Sequence, residues 1–168
     1  MIFSINLFNK DVKNRFPDKS GEGNQDDSYR GYSLDTGHFD NDIYEDIVVS
    51  APRGNNCKGS VEIFSSNLKL LHVIYGYQIG AYFGGSVIAV DLNNDRSEDI
   101  VIGSPMFKKD TDNYDIGRID VYIRDKKANG YVFKTLQING FKSKSRFGNT
   151  IAKIGDSNDD GYNGAKNY

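Results

Sequence analysis

Residues 91–105 read DLNNDRSEDIVIGSP, and this stretch decides the fold. Its first nine residues place oxygen-bearing side chains at positions 1, 3, 5 and 9, where they can converge on one hard cation, and a backbone carbonyl near position 7 adds another oxygen. A β-branched apolar run then leads into Gly-Ser-Pro, which favours a strand closed by a turn. The stretch therefore predicts a calcium loop carried on a β-hairpin.

An EF-hand loop is the competing interpretation, because it also begins with acidic residues two positions apart. That loop requires glycine at position 6 and a bidentate glutamate at position 12, between two helices. Here Arg96 is at position 6 and Ile102 is at position 12, which argues against an EF-hand. The remaining alternative is an acidic, solvated turn that binds no metal, and the sequence leaves it open.

The composition is typical of one globular, all-β chain. Of its 168 residues 38% are hydrophobic, and its 18 glycines, 11 Tyr and 10 Phe fit many short strands joined by tight turns. The 21 Lys and Arg are balanced by 23 Asp and Glu, so no nucleic-acid partner is expected. The single cysteine, Cys57, predicts a free thiol in a loop, and pairing outside this chain is the alternative. Residues 1–10 lack a basic region, so neither a signal peptide nor a transmembrane segment is expected here, and an extracellular protein would be represented by a fragment.

The segment after the loop occurs twice, which indicates a repeat. Residues 45–52 (EDIVVSAP) match residues 98–105 (EDIVIGSP) at a spacing of 53 positions. Each copy is followed by a glycine-led alternating strand, at residues 59–64 and 117–122, and then by a second strand that ends in glycine. A unit of about four strands whose sheet cannot bury both faces alone predicts a β-propeller blade.

The repeat divides the chain into units. A poorly matched segment, 1–24, precedes a first unit at 25–82, a second at 83–146 and the truncated start of a third at 147–168. Propellers close with roughly four to eight blades. We therefore expect a partial propeller with exposed blade faces and low independent stability.

At these residues the sequence resembles the FG-GAP repeats of integrin alpha subunits. The Phe-Gly pairs at 83–84 and 147–148 match the FG half, and the tripeptides at 50–52 and 103–105 are variants of the GAP half. Residues 26–33 (DDSYRGYS) are similar to a segment of the Arg-Gly-Asp-binding vitronectin and fibronectin receptor alpha chains. The resemblance covers residues 25–162 and implies an all-β, partial FG-GAP propeller.

The resemblance also implies that Ca²⁺ is bound and which residues bind it. In the middle unit the ligands are Asp91, Asn93, Asp95, the carbonyl of Ser97, and Asp99. In the last unit they are Asp156, Asn158, Asp160 and the carbonyl of Tyr162, with Gly164 where an aspartate is expected. The first unit has His38, Asp40, Asp42, Tyr44 and Asp46, and histidine is a soft substitute for a hard-cation ligand. We expect the middle loop to be the best site, the last loop the next and the first loop the poorest.

The cation is expected to be structural. Acidic side chains a few Å apart repel one another, and bound Ca²⁺ offsets that repulsion while it fixes the hairpin. In the middle loop Arg96 replaces the usual glycine, which places a positive charge near the metal and a side chain where a left-handed backbone is expected. We therefore expect a weakened site.

The resemblance implies two protein partners. An integrin beta subunit would place a basic side chain among aromatic rings, for which Tyr29, Tyr32 and Tyr82 match by position, whereas Gly85 stands where a ring is usual. The alternative is that these rings pack between blades. Asp26 matches the position that holds the arginine of an Arg-Gly-Asp matrix ligand. An ordinary turn aspartate is the alternative, and Arg30 is placed to neutralise it.

The function implied is that of a cell-adhesion receptor fragment from the extracellular part of a single-pass membrane protein at the cell surface, with membrane contact only through segments absent from this chain. The alternative is a soluble FG-GAP propeller that binds carbohydrate or protein. Paired carboxylates are the one feature that would support an enzyme. However, the acidic residues recur in each repeat, which a metal site explains and a single acid–base pair does not. His38 and His72 also have no recognisable Ser or Cys nucleophile. We expect no enzyme and no catalytic residues.

Overall fold

The computed structural model describes residues 27–40, 42–125, 128 and 131–168, so the segment predicted at 1–24 lies outside it. Within the described residues the regular secondary structure is almost entirely β-strand. Its elements are β1 (Leu34–Gly37), β2 (Asp46–Ala51), α1 (Gly54–Cys57), β3 (Ser60–Phe64), β4 (Leu70–Tyr75), β5 (Ser86–Val90), β6 (Asp99–Ser104), β7 (Arg118–Arg124), β8 (Phe133–Asn139), β9 (Ile151–Gly155) and β10 (Gly164–Asn167). The all-β prediction is confirmed.

The strands form three antiparallel sheets in chain order. Two sheets have four strands each, β1-β2-β3-β4 and β5-β6-β7-β8, and β9 pairs with β10 in a third. Each four-stranded sheet is a meander in which consecutive strands are neighbours, which is the arrangement of a propeller blade. The expectation of a partial propeller is confirmed, and the unit boundaries at 25, 83 and 147 stay a prediction.

The second strand of the second sheet, β6, is buried along its whole length between the two neighbouring sheets. Ile100 and Ile102 pack in the cluster between the first and second sheets, whereas Val101 packs in the cluster toward β9. A strand that is buried on both faces needs a continuous apolar run. This position explains why residues 100–102 read Ile-Val-Ile and not as an alternation of apolar and polar residues.

The outermost strand of the second sheet, β8, leaves apolar side chains in solvent. Leu136 and Ile138 are 58% and 41% exposed, and they pair in register with Val121 and Ile119 of β7. Those two β7 residues belong to the buried cluster that packs against Ile151 of β9. The expected exposure of a blade face is therefore confirmed at β8.

The first strands of the three sheets are linked by side chains. The carboxylate of Asp35 in β1 accepts a hydrogen bond from the Ala89 amide of β5 at 2.8 Å and pairs with the Lys153 ammonium of β9 at 2.8 Å. The hydroxyl of Ser33, just before β1, accepts a hydrogen bond from the Val87 amide at 3.0 Å. These contacts fix how the three sheets lie side by side.

The short element α1 is a left-handed turn at its centre. Asn55, Asn56 and Cys57 have φ values of 52°, 56° and 61°, a region that asparagine enters more easily than most residues. Cys57 is exposed and forms no disulfide within the described residues, and the free thiol stays a prediction. No helix among the described residues is long and apolar enough to cross a membrane.

Candidate metal loops and aromatic surface

Three acidic loops occupy equivalent places in the three sheets. The first loop, residues 38–45, joins β1 to β2; the middle loop, residues 91–98, joins β5 to β6; and the last loop, residues 156–163, joins β9 to β10. Each pair of strands is antiparallel and adjacent. The prediction of a loop carried on a β-hairpin is therefore confirmed.

The middle loop is folded around its acidic side chains. The Asp91 carboxylate accepts hydrogen bonds from the amides of Asp95 at 3.1 Å and Arg96 at 2.7 Å. The Asn93 carbonyl oxygen accepts from the Asp95 amide at 3.0 Å, and the Asp95 carboxylate accepts from the Ser97 amide at 2.9 Å. Side chains at positions 1, 3 and 5 thus turn toward the loop's own backbone.

Asp99, at position 9, is fully buried at the start of β6. Its carboxylate accepts hydrogen bonds from the amides of Leu92 at 3.0 Å and Arg124 at 2.8 Å, so it ties the loop to the end of β7. Burial raises the pKa of Asp99 to about 6 against the lowering effect of these two amides, and the Asp95 and Asp91 carboxylates add to the rise. A bound cation would relieve this concentration of negative charge.

The last loop repeats the hydrogen bonds of the middle loop. Asp156 accepts from the amides of Asp160 at 3.0 Å and Gly161 at 2.8 Å, and Asp160 accepts from the Tyr162 amide at 2.9 Å. It lacks the buried carboxylate, because Gly164 opens β10 at that position. Two loops with different sequences therefore share one geometry.

The position occupied by Arg96 has a left-handed backbone in both of these loops. Arg96 has a φ of 63° and Gly161 has a φ of 87°. A non-glycine residue in this region costs about 1–2 kcal/mol. The middle loop therefore has the complete set of side-chain ligands but a strained turn, whereas the last loop has the favourable glycine but one carboxylate fewer.

The first loop, which we expected to be the poorest site, brings its three carboxylates close together. Carboxylate oxygens of Asp40, Asp42 and Asp46 lie within 4.8 Å of one another, the one such group of three or more His, Cys, Asp or Glu side chains in the described part of the chain. The Nδ1 atom of His38 lies 3.2 Å from the Tyr44 carbonyl, so an expected backbone ligand already faces a ring nitrogen. The order of calcium affinity among the three loops stays a prediction. In the sequence, the feature that favours a metal site in the first loop is its three aspartates at positions 3, 5 and 9.

The donor atoms of the middle loop fit Ca²⁺. Asp91, Asn93, Asp95 and Asp99 offer oxygens, with no thiolate or imidazole among them, which is the donor set that hard cations prefer. The Ser97 hydroxyl in the same loop is buried without a hydrogen-bond partner. The residues present are therefore compatible with an oxygen-coordinated cation.

Elsewhere on the molecule three tyrosines form an aromatic surface. The Tyr29 and Tyr32 rings stack at a centroid distance of 6.5 Å, and Tyr82 meets Tyr32 edge to face at 5.2 Å. Tyr29 and Tyr32 are about half exposed. The structure thus brings together the three residues that the sequence analysis selected for a partner interface.

The aromatic surface contains a cation of its own that the sequence analysis did not single out. The Arg53 guanidinium lies 4.9 Å from the centroid of the Tyr29 ring, within the range of a cation–π contact. Gly85 cannot add a further ring at its position, because a Cβ there would lie 2.8 Å from Cδ of Pro105. The surface is therefore a three-ring cluster with an arginine at one side.

Comparison with known proteins is consistent with these features. The family described as FG-GAP repeat matches residues 83–122, the second sheet through most of β7. The chain is 40% identical over 142 residues to integrin alpha-PS2 of Drosophila melanogaster, which covers 82% of this chain and 10% of the relative. It is 36% identical over 157 residues to integrin alpha-5 of Xenopus laevis (91% and 15%) and 37% identical over 142 residues to integrin alpha-V of Gallus gallus (82% and 13%). The chain contains an FG-GAP repeat and is similar to integrin alpha chains over most of its length.

This integrin alpha homologue spans only 10–15% of the length of these three curated relatives. The recognition of integrin-type FG-GAP repeats from the sequence is confirmed. The individual metal-ligating and partner-contacting residues stay predictions.

The predicted ligand-binding residue of the integrin homologue, Asp26, lies outside the described residues. Its neighbour Arg30 forms an ion pair with Glu62 and lies 5.1 Å from the centroid of the Phe64 ring. Arg30 thus has a carboxylate partner in β3, in addition to the aspartates that the sequence analysis considered for it.

Proposed function

We propose that this chain is part of the β-propeller of an integrin alpha subunit, and that Ca²⁺ in its hairpin loops stiffens an adhesion scaffold. The observation that carries the proposal is the shared hydrogen-bond geometry of the middle and last loops, in which the carboxylates at positions 1 and 5 accept hydrogen bonds from the loop's own backbone amides. The proposed ligands are Asp91, Asn93, Asp95, the Ser97 carbonyl and Asp99 in one loop, and Asp156, Asn158, Asp160 and the Tyr162 carbonyl in the other. The cation supplies positive charge that offsets carboxylate repulsion.

The role of the protein residues follows from their hydrogen bonds. Asp99 connects the loop to β7 through the Arg124 amide, so ordering of the loop also orders the end of that strand. Asp46 has the same role in the first sheet, since it accepts hydrogen bonds from the amides of Phe39 and Ser66. This role is structural, and the proposal includes no catalytic step.

Calcium titration by calorimetry tests the metal sites. We expect binding at about 10⁻⁴ to 10⁻³ M, as in extracellular calcium modules, with one site lost in Asp95→Ala and a different site lost in Asp160→Ala. Asp112→Ala is the matched control, because Asp112 is an exposed aspartate outside the three loops. Unchanged heats in both loop variants would refute the assignment.

We further propose that Tyr29, Tyr32 and Tyr82 contribute to pairing with an integrin beta subunit. Their exposed, clustered rings can receive a basic side chain. Arg53 already lies against Tyr29, so a partner's cation would have to share the Tyr29 ring with Arg53 or displace Arg53 from it. Co-precipitation of the full-length receptor with its beta subunit should weaken in Tyr32→Ala and persist in Tyr168→Ala, a control at another exposed tyrosine; equal recovery of both would contradict the proposal.

Matrix binding is proposed through Asp26, whose carboxylate would form charge-assisted hydrogen bonds with the arginine of an Arg-Gly-Asp ligand. Cells that display the complete receptor with Asp26→Ala should lose adhesion to an Arg-Gly-Asp surface, whereas Asp112→Ala should adhere normally. Retained adhesion in the first variant would count against the role of Asp26. We also propose that the full-length protein lies at the cell surface. A full-length transcript that encodes no transmembrane helix would instead favour a soluble FG-GAP propeller.

A further inference from the structure

Neighbouring acidic loops touch each other in this structure. The side-chain amide of Asn163 in the last loop donates a hydrogen bond to the backbone carbonyl of Asp91 in the middle loop at 3.0 Å. Asn163 directly follows Tyr162, whose carbonyl is a proposed ligand, and Asp91 is itself a proposed ligand. One hydrogen bond therefore joins residues that belong to two different cation sites.

A comparable contact joins the middle loop to the first loop. Glu98 has the same position in the middle loop as Asn163 has in the last loop. Its side chain lies against Gly37, just before the first loop, since a Cβ added to Gly37 would be 2.9 Å from Cγ of Glu98. Arg124, whose amide binds Asp99, also reaches the carbonyl of His38 at 3.4 Å. At both interfaces, residues of the later sheet contact the start of the preceding loop or the residue just before it. The contact is therefore a feature of how successive sheets pack.

Each of the two residues in the Asn163–Asp91 hydrogen bond becomes ordered when its own loop becomes ordered. The Asp91 carboxylate is fixed by the amides of Asp95 and Arg96, so its backbone moves with the middle loop. Asn163 lies between Tyr162 and the first residue of β10, so its backbone is fixed when the Tyr162 carbonyl is fixed. Ordering of one loop therefore reduces the entropy that is lost when the other loop is ordered.

We propose that the middle and last loops bind Ca²⁺ with positive cooperativity through the hydrogen bond from Asn163 to Asp91. This inference rests on the proposed calcium sites and specifies how they are connected. Because coupling is reciprocal, loss of either site must weaken the other by the same factor. The bond is solvent-exposed, so we expect about a fivefold effect, at the low end of the usual range of coupling.

A calcium titration of the 168-residue chain followed by amide NMR tests the proposal. The Ser97 amide reports on the middle loop, and the Tyr162 amide reports on the last loop. Asp160→Ala should weaken Ca²⁺ binding at Ser97 about fivefold. In a chain that carries Asn163→Leu, which removes the donor but keeps the side-chain volume, addition of Asp160→Ala should change binding at Ser97 less than about twofold, since the connection is already broken.

Two controls separate the possible failures. Asn149→Ala removes another exposed asparagine side chain of the same sheet region and should leave the fivefold effect intact. Asn163→Ala provides a second donor deletion, and the dispersion of the amide spectrum shows whether each variant is folded. If Ser97 and Tyr162 titrate independently in the unaltered chain, cooperativity is wrong while the calcium sites stand; if neither amide responds to Ca²⁺, the proposed function itself is wrong.

Discussion

Replacement of Arg118 by methionine should lower the free energy of unfolding by about 3–5 kcal/mol, the usual cost of breaking a buried ion pair from one side. Arg118 is 4% exposed at the start of β7, and its Nε donates to the fully buried Asp120 carboxylate at 3.1 Å. The guanidinium also lies 4.2 Å from the Tyr77 ring centroid and 4.0 Å from that of Phe107. Methionine preserves much of the packing volume but leaves a buried carboxylate without its cation.

The pH dependence of this variant has a definite sign. Burial raises the pKa of Asp120, and Arg118 lowers it, so loss of the arginine raises the folded-state pKa further above the unfolded value. A raised carboxyl pKa contributes stability below the unfolded pKa that is lost as pH rises through the folded pKa. The destabilisation by Arg118→Met should therefore be smaller at pH 4 than at pH 7.

Urea unfolding followed by circular dichroism, at fixed Ca²⁺ concentration, measures both effects. The double variant Arg118→Met with Asp120→Val is the matched control, because it removes both charges and should recover to within about 1 kcal/mol of the unaltered chain. A loss below about 1 kcal/mol in the single variant, or a double variant no more stable than the single one, would refute the reasoning.

Three further changes have defined outcomes. Gly103→Ala should destabilise the chain by at least about 1–3 kcal/mol because its Cβ would lie 2.0 Å from the Gly148 carbonyl oxygen; an unchanged urea midpoint would contradict this. Arg96→Gly should raise the calcium affinity of the middle loop about fivefold to thirtyfold, since it removes left-handed strain of about 1–2 kcal/mol at φ 63°. Equal affinities by calorimetry would show that this strain does not limit calcium binding. Burial lowers the pKa of His72, whose ring stacks on that of Tyr131 at a centroid distance of 5.2 Å. The free energy of unfolding should therefore fall as the pH drops below about 6.5, and His72→Phe should reduce this pH dependence. An equal pH dependence in the variant would exclude His72 as its source.

The strands and loops could be predicted from sequence because their signals are local. The run from Ile100 to Ile102 follows an acidic loop and ends at a Gly-Ser-Pro turn, and its second copy fixes the length of the repeat. The alternation of Asp91, Asn93 and Asp95 likewise places three oxygens on one side of a short loop. No knowledge of the packing between sheets is needed for either inference.

The contacts between sheets could not be predicted in the same way. Asn163 meets Asp91 across 72 positions, and Arg118 meets Tyr77 only because the segment after β4 folds over the start of β7. Neither pair has a spacing that marks it in the sequence. Arg53 was missed for a related reason, since its contact with Tyr29 depends on the turn at α1 that follows it.

The contacts of Asp35 and Ser33 have a consequence for the association of this chain with itself. β5 is an edge strand of its sheet, and unpaired amides on such an edge can template pairing with a strand from another molecule. Here the Val87 and Ala89 amides are already capped by side chains of the neighbouring sheet. The edge of β5 is thus closed to strand addition at these two amides, and edge-to-edge pairing with another molecule has to begin at a different strand.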